Sequence, residues 1–363
     1  MNKFDELKDL INQAKNQFRR TNILVTGKTG VGKSTLLNAI FGEDLAETGS
    51  GKPCTENIKE YAKEGFPIHL VDTRGLELAN FNTIADDLVH EILNRRRSPN
   101  ADDYIHIAWY CINYTSKRIE DAEIEFISKL SQEIPVIVIL TQCIDTNLVF
   151  FNQVQDLCFT SADTICVLAL PFQCPLGTVD SFGLRELIEK TMEKIPEAQK
   201  NAFVAAQIVD LSLKEREAKK FVAGAATAAA TAGATPIPFS DAAVLAPIQI
   251  GMLASISFCM GLEMTTAFLS TLVSSTAGVV GATYAGRSIV SGLLKLIPGA
   301  GSIVGGAISA ATAATLTTTM GLSYIKTLKY MIQNNLELTP DTISDLFIKI
   351  LKKEDNLPQP PIE

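Results

Sequence analysis

Eight residues, Gly27-Lys28-Thr29-Gly30-Val31-Gly32-Lys33-Ser34, set three glycines, an ammonium and a hydroxyl in the spacing G-x-x-x-x-G-K-S. Glycine lets the backbone turn tightly enough for successive N–H groups to face one anion. Context decides whether such a pattern carries chemistry. Here an apolar run, Asn22 to Thr26, precedes the loop and a helical pattern, Ser34 to Phe41, follows it. The loop therefore opens a helix whose dipole favours phosphate. On this reading the backbone from Gly27 to Thr35 rings the β-phosphate of a nucleotide. Lys33 reaches the β- and γ-phosphate oxygens, and the Ser34 hydroxyl ligates Mg²⁺.

Two further pieces complete a phosphate and metal site. Asp72-Thr73-Arg74-Gly75 closes the apolar run Ile68 to Val71, which puts a carboxylate at the strand end where open α/β sheets bind ligands. Asp72 is the expected Mg²⁺ partner, and the Gly75 N–H is placed to sense the γ-phosphate. Thr55 precedes a polar segment, Glu56 to Ala62, that reads as a sheet-edge strand. Its hydroxyl is the expected second metal ligand, with Thr48 as the alternative. Lys33, Thr55 and Gly75 are thus the catalytic candidates, and Ser34, Thr55 and Asp72 the metal ligands. The base is chosen at Thr141-Gln142-Cys143-Ile144-Asp145, directly after the run Val136 to Leu140. A carboxylate at Asp145 accepts from both N1–H and the 2-amino group of guanine, a donor pair that adenine lacks, and hydrogen-bonding sites reject analogues strongly. The expected ligands are GTP and GDP with Mg²⁺.

The elements that must position these groups alternate. Apolar runs at Ile23-Leu24-Val25, Ile68 to Val71, Ile105 to Ile112, Val136 to Leu140 and Ile165 to Leu170 are separated by helical stretches such as Ile119 to Leu130 and Gly183 to Ile195. Non-alternating Val/Ile runs suit strands buried on both faces, so residues 21–196 read as an α/β, doubly wound, mostly parallel sheet. Residues 1–20 form an amphipathic helix, with Phe4, Leu7, Ile11, Ala14 and Phe18 on one face. Residues 197–220, with Lys214-Glu215-Arg216-Glu217, read as a connecting helix. From 221 to 353 an Ala/Gly-rich, apolar, all-α domain follows, broken at 235–240 and 297–301; residues 354–363 form a tail. Its uncharged stretches, Ala243 to Leu262, Met264 to Gly286 and Leu296 to Ile325, are long enough to span a bilayer, yet only mildly apolar. A packed bundle, reversible membrane association and spanning helices all remain open.

Composition bounds the rest. The net charge of −8 excludes a broad basic face, so no nucleic-acid partner is expected. Seven scattered cysteines without a C-x-x-C pair suggest reduced thiols in a cytoplasmic protein, possible membrane association aside.

The motifs together resemble a translation-factor-class small GTPase of the Era-like kind. The family pattern at the base is N/T-K-x-D, and Gln142 stands where the family has a lysine whose stem packs over the base. The gap before Asp145 is one residue longer than in the family, and Ala169 and Leu170 stand where its last base-contacting element would fall. Leu76 follows Gly75 where many GTPases carry a glutamine that orients water. This implies slow turnover, quickened by self-association across the nucleotide face or by a partner, with Arg74 and Lys28 as charges a second copy could offer. Gly30 stands where potassium-activated relatives carry asparagine, so potassium stimulation is not expected. Gly224 through Met252 and Leu296 to Ala307 resemble the C-terminal domain of unknown function found in YcjF-type proteins. The resemblance implies a nucleotide-dependent switch whose helical domain is the effector. A dynamin-like or immunity-related membrane GTPase is the alternative, and a ribosome-assembly GTPase a third.

Overall fold

Runs of Val, Ile and Leu pair into a sheet when both their faces can be covered. The computed structural model describes residues 3–43, 45–47, 58–73, 81–144, 148–158, 162–175, 177–233, 241–262 and 310–351. It divides into a unit of Phe18–Asp210 and a unit drawn from both ends of the chain, Met1–Gln17 with Leu211–Glu363. The first unit holds strands β1 (Thr21–Thr26), β2 (Leu45–Glu47), β3 (Ile58–Lys63), β4 (Ile68–Thr73), β5 (Ile107–Asn113), β6 (Val136–Thr141) and β7 (Asp163–Cys166). They form one sheet in the order β2-β3-β4-β1-β5-β6-β7. β4, β1, β5, β6 and β7 run parallel, whereas β2 and β3 are antiparallel.

Helices cover both faces, as the α/β alternation implied. On one side α3 (Phe81–Arg96), α4 (Asp121–Glu133) and α5 (Val149–Cys158) bury Leu88, Phe126 and Val154 against Tyr110 and Val138 of the strands. On the other lie α2 (Lys33–Phe41), α6 (Leu184–Lys194) and α7 (Glu197–Ala206), gathered around Trp109. The indole stacks on Phe41 with centroids 6.1 Å apart, meets Phe203 edge-on at 6.4 Å, and donates Nε1–H to Thr191 Oγ1 at 3.1 Å. Trp109 is the chain's sole tryptophan and is fully buried, so its fluorescence reports on this unit alone. α7 is fastened to β1 by the Thr21 hydroxyl, which donates to Gln199 O at 2.8 Å. Beyond it the chain leaves α7 at Gln207, and Ile208 N–H donates to Ile40 O of α2 at 2.8 Å.

Three local details differ from the sequence reading. The polar segment expected at the sheet edge, β3, is one strand in, because Leu45, Ala46 and Glu47 pair outside it. The run Ile165 to Leu170 leaves its ladder with β6 after Cys166, bridges Phe182 at Leu168, and continues into a hairpin of β8 (Phe172–Cys174) and β9 (Gly177–Val179). Residues 197–220 are two helices, α7 and the first turns of α8 (Leu211–Gly233), parted by a turn in which Gln207 Nε2 donates to Asp210 O at 2.9 Å and Gln207 Oε1 accepts from Asp210 N at 2.7 Å.

The regular elements among the second unit's described residues are all helices: α1 (Lys3–Lys15), α8, α9 (Asp241–Cys259), α10 (Ala310–Gln333) and α11 (Pro340–Leu351). α1 buries Ile11 and Ala14, whereas Phe18 belongs to the first unit. α10 lies close along α8: a Cβ added at Gly321 would stand 2.7 Å from Val222 Cγ2. Buried polar groups find partners, with the Tyr324 and Ser257 hydroxyls 2.8 Å apart and Gln249 Nε2 donating to Thr317 Oγ1 at 3.3 Å. No helix among the described residues is long and apolar enough to cross a membrane. The stretch Met264 to Gly286 and the start of Leu296 to Ile325 lie outside those residues.

Two histidines of the first unit set a pH dependence. Burial, joined by the Arg20 charge, holds His69 and His106 below the ordinary 6.5. The folded state therefore prefers the neutral imidazoles, and below pH 6.5 the unfolded chain takes up protons first. Stability is full above pH 6.5 and falls as pH drops, by at most about 1.4 kcal/mol per pH unit for each imidazole. Thermal melts followed by Trp109 fluorescence should shift down between pH 7.5 and 5.5, and less so in His106→Gln. A melting temperature level across that range would refute this.

Candidate functional site

The phosphate loop leaves the C-terminal end of β1, beside the ends of β4 and β5. Gly27, Gly30 and Gly32 all have positive φ, at 134°, 77° and 96°. Gly27 has no substitute: a Cβ there would lie 2.2 Å from Cys111 O of β5. The Lys33 side chain is buried and folds back over the loop, where Nζ donates to Gly27 O at 2.9 Å and Lys28 O at 3.0 Å. Its ammonium is thus held at the loop's centre by carbonyl acceptors. Ser34 and Thr35 stand exposed on the first turn of α2.

Asp72 lies one residue from the end of β4, level with Val25 of β1 and half-buried. The thiol of Cys111 on β5 is pushed up to about 12 by burial, with Lys33 opposing and Asp72 adding to the rise. Ammonium and carboxylate therefore act on one point at the strand ends. Hydroxyls at Ser34 and Thr35 with a carboxylate at Asp72 are hard oxygen donors of the kind Mg²⁺ takes, and the loop's N–H groups with Lys33 fit a phosphate chain. The described residues fit a magnesium nucleotide.

The base end is brought to the same place. Thr141, the last residue of β6, is buried, and its hydroxyl lies within bonding reach of Val31 O and of Ile112 O, the latter at 3.1 Å. It ties β6 to the phosphate loop. Gln142 adopts a left-handed φ of 56°, accepts from Asn113 Nδ2 at 3.4 Å, and places Nε2 3.6 Å from where a Gly32 Cβ would be. A cavity of about 300 Å³ opens between Gly32, Thr35, Thr141 and Gln142 on one side and Ala169, Leu170 and Phe172 on the other. Thr55, Gly75 and Asp145, with Thr48, Arg74 and Leu76, lie outside the described residues.

Some of this neighbourhood was not foreseen. The Lys28 side chain turns to α4, where Nζ reaches Glu123 at 2.9 Å and Glu120 at 3.1 Å. Burial pulls this ammonium down, but the two carboxylate hydrogen bonds outweigh it and its pKa is raised. Glu123, itself buried, also accepts from Tyr110 OH at 3.1 Å and from Glu120 N–H at 3.1 Å, capping α4. Lys28 is thereby engaged within its own chain. No sequence signal links residues 95 positions apart. The β8–β9 hairpin, whose Phe172 lines the cavity, was missed for a different reason: three-residue strands show no period.

Residues 22–142 match the family model described as a 50S ribosome-binding GTPase. The N-terminal unit is a P-loop GTPase domain. Residues 199–356 match a domain of unknown function, DUF697, so the helical unit behind the GTPase domain has a family but no assigned role. The GTPase domain is similar to GTP-binding protein A of Dictyostelium discoideum, at 36% identity over 73 residues, 20% of this chain and 16% of that protein. It is also similar to the tRNA modification GTPase MnmE of Erwinia tasmaniensis, at 29% identity over 121 residues, 32% of this chain and 25% of that protein. The chain thus spans a quarter or less of the length of these relatives. Among solved structures, the G domain of the T. maritima FeoB iron transporter aligns at TM-score 0.32 and 16% identity, covering 48% of this chain and 98% of that one. Aquifex aeolicus Era aligns at TM-score 0.33 and 20% identity, covering 58% and 67%. The GTPase family binds GTP and GDP.

Proposed function

We propose that the chain is a nucleotide-dependent switch that binds GTP and GDP with Mg²⁺, hydrolyses GTP slowly, and uses its helical unit as the effector. The observation that carries this reading is the meeting, at the C-terminal strand ends, of the buried Lys33 ammonium, Asp72 and the Thr141-tethered loop. Lys33 would bind the β- and γ-phosphates and offset the charge that builds on them during transfer. Ser34, Asp72 and Thr55 would hold Mg²⁺, which when bound neutralises phosphate charge. Gly75 would sense the γ-phosphate, so that the segments around Thr55 and after Asp72 change with nucleotide state. Leu76 offers no hydrogen bond to an attacking water, so turnover should be slow and should rise with protein concentration if a second copy assists across the nucleotide face. A fast rate independent of concentration would rule that out.

Base choice supplies the decisive test. Asp145→Asn should weaken GDP binding at least about tenfold and favour xanthosine diphosphate, since a lost charge-assisted pair costs about 1.5–3 kcal/mol. Calorimetry with both nucleotides reads the outcome, and unchanged GDP affinity would refute guanine recognition by Asp145. A ribosome-assembly role has one observation in its favour, the description of the family matched by residues 22–142. The acidic balance opposes it, and co-sedimentation with ribosomes in GDP and in a non-hydrolysable GTP analogue distinguishes it. The same assay with liposomes tests membrane attachment of the helical unit.

A further inference from the structure

Gln142 itself brings little apolar surface to its side of the cavity. Its amide is polar and its stem is two carbons long, and its Oε1 accepts from Asn113 Nδ2. Across the same cavity stands Phe172, the first residue of β8. Most aromatic rings of this unit, from Phe41 to Phe203, are buried, yet Phe172 is 42% exposed and Phe182 41%, and of these two Phe172 lines the cavity. Exposing a ring costs solvation free energy, and here the backbone that carries it is also held in place. Phe172 pairs with Val179, Gln173 with Thr178 and Cys174 with Gly177. The Thr178 hydroxyl donates to Gln173 Oε1 at 2.9 Å, and Leu168 and Phe182 exchange backbone hydrogen bonds of 3.0 Å at the hairpin's foot.

We propose that the β8–β9 hairpin is a base clamp, with the Phe172 ring stacking on the purine of the bound nucleotide. This rests on the reading of the cavity as the nucleotide's base site. An aromatic face binds any base, so Phe172 contributes affinity and leaves the choice of guanine to hydrogen bonds. Anchoring on a hairpin removes the entropy that a loop aromatic would lose on binding.

The test compares wild type, Phe172→Ala, Phe172→Tyr and Lys33→Ala by calorimetry with GDP, ADP and pyrophosphate. Phe172→Ala should weaken GDP by roughly 5- to 150-fold, the range of a base–aromatic stack. Its preference for GDP over ADP and its affinity for pyrophosphate, which has no base, should stay within about twofold of wild type. Phe172→Tyr should restore GDP binding. A Phe172→Ala protein that binds GDP like wild type overturns the clamp while leaving the nucleotide reading intact. Equal losses of GDP and pyrophosphate overturn it too, since the change would then be a general one. Wild type that binds neither ligand defeats the nucleotide reading and the clamp with it.

Discussion

Lys33→Ala should lower GDP affinity by at least about 100-fold without unfolding the GTPase domain. A hydrogen bond to a charged group is worth about 1.5–3 kcal/mol, and an ammonium reaching two phosphate groups makes two of them. Their loss amounts to about 3–6 kcal/mol, or two to four orders of magnitude in the dissociation constant. In the absence of ligand the same ammonium only bridges Gly27 O and Lys28 O. The first of these hydrogen bonds is buried and the second part-buried, so their loss should cost the fold about 1–3 kcal/mol in total, less than the loss in binding. The Trp109 melting curve should therefore fall by several degrees at most, with the domain still folded. Calorimetry with GDP and fluorescence melts answer both halves, and binding within threefold of wild type would show that the loop does not hold phosphate through Lys33.

Gly27→Ala should have the opposite signature, a loss of folding stability that takes nucleotide binding with it. The φ of 134° is one that side-chain-bearing residues rarely adopt, and the added Cβ would meet the Cys111 carbonyl at 2.2 Å. That carbonyl cannot retreat, because β5 is an interior strand paired with both β1 and β6. Backbone strain of about 1–3 kcal/mol and overpacking of a similar size are expected to add. Against a total stability of about 5–15 kcal/mol this should lower the melting temperature by several degrees at least, on the order of 5–20 °C. Gly30→Ala is the internal control, since its Cβ meets nothing within 4 Å and only the positive φ of 77° opposes it. Equal melting temperatures for the two variants would show that the contact with β5 is unimportant.

How much of this was legible depends on the range of the forces involved. The phosphate loop could be read because Gly27, Gly32 and Lys33 act through backbone conformation and near neighbours. The parallel strands could be read because Val136 to Leu140 and Ile107 to Ile112 are buried on both faces and so do not alternate. Short elements could not. Phe172-Gln173-Cys174 and Gly177-Thr178-Val179 carry too few residues for a period, so Leu168 to Leu170 passed for the end of a strand. Gln207 to Asp210 breaks a helix without glycine or proline, using side-chain hydrogen bonds that composition cannot reveal. The pairing of Lys28 with Glu123 is a product of the fold itself. Charge alone would have left that lysine in solvent.

Helix α7 belongs to one domain by descent and to another by packing. The family match of the C-terminal domain begins at residue 199, yet Phe203 closes over Trp109 and Gln199 receives the Thr21 hydroxyl inside the GTPase unit. The next residues meet α2 at Ile40, on the helix that starts at Lys33. A GTPase domain cut free at residue 198 would lose Phe203 from its own interior and the carbonyl that holds Thr21. A boundary drawn after Asp210 instead keeps Phe203, Gln199 and the Ile208–Ile40 hydrogen bond together in one unit.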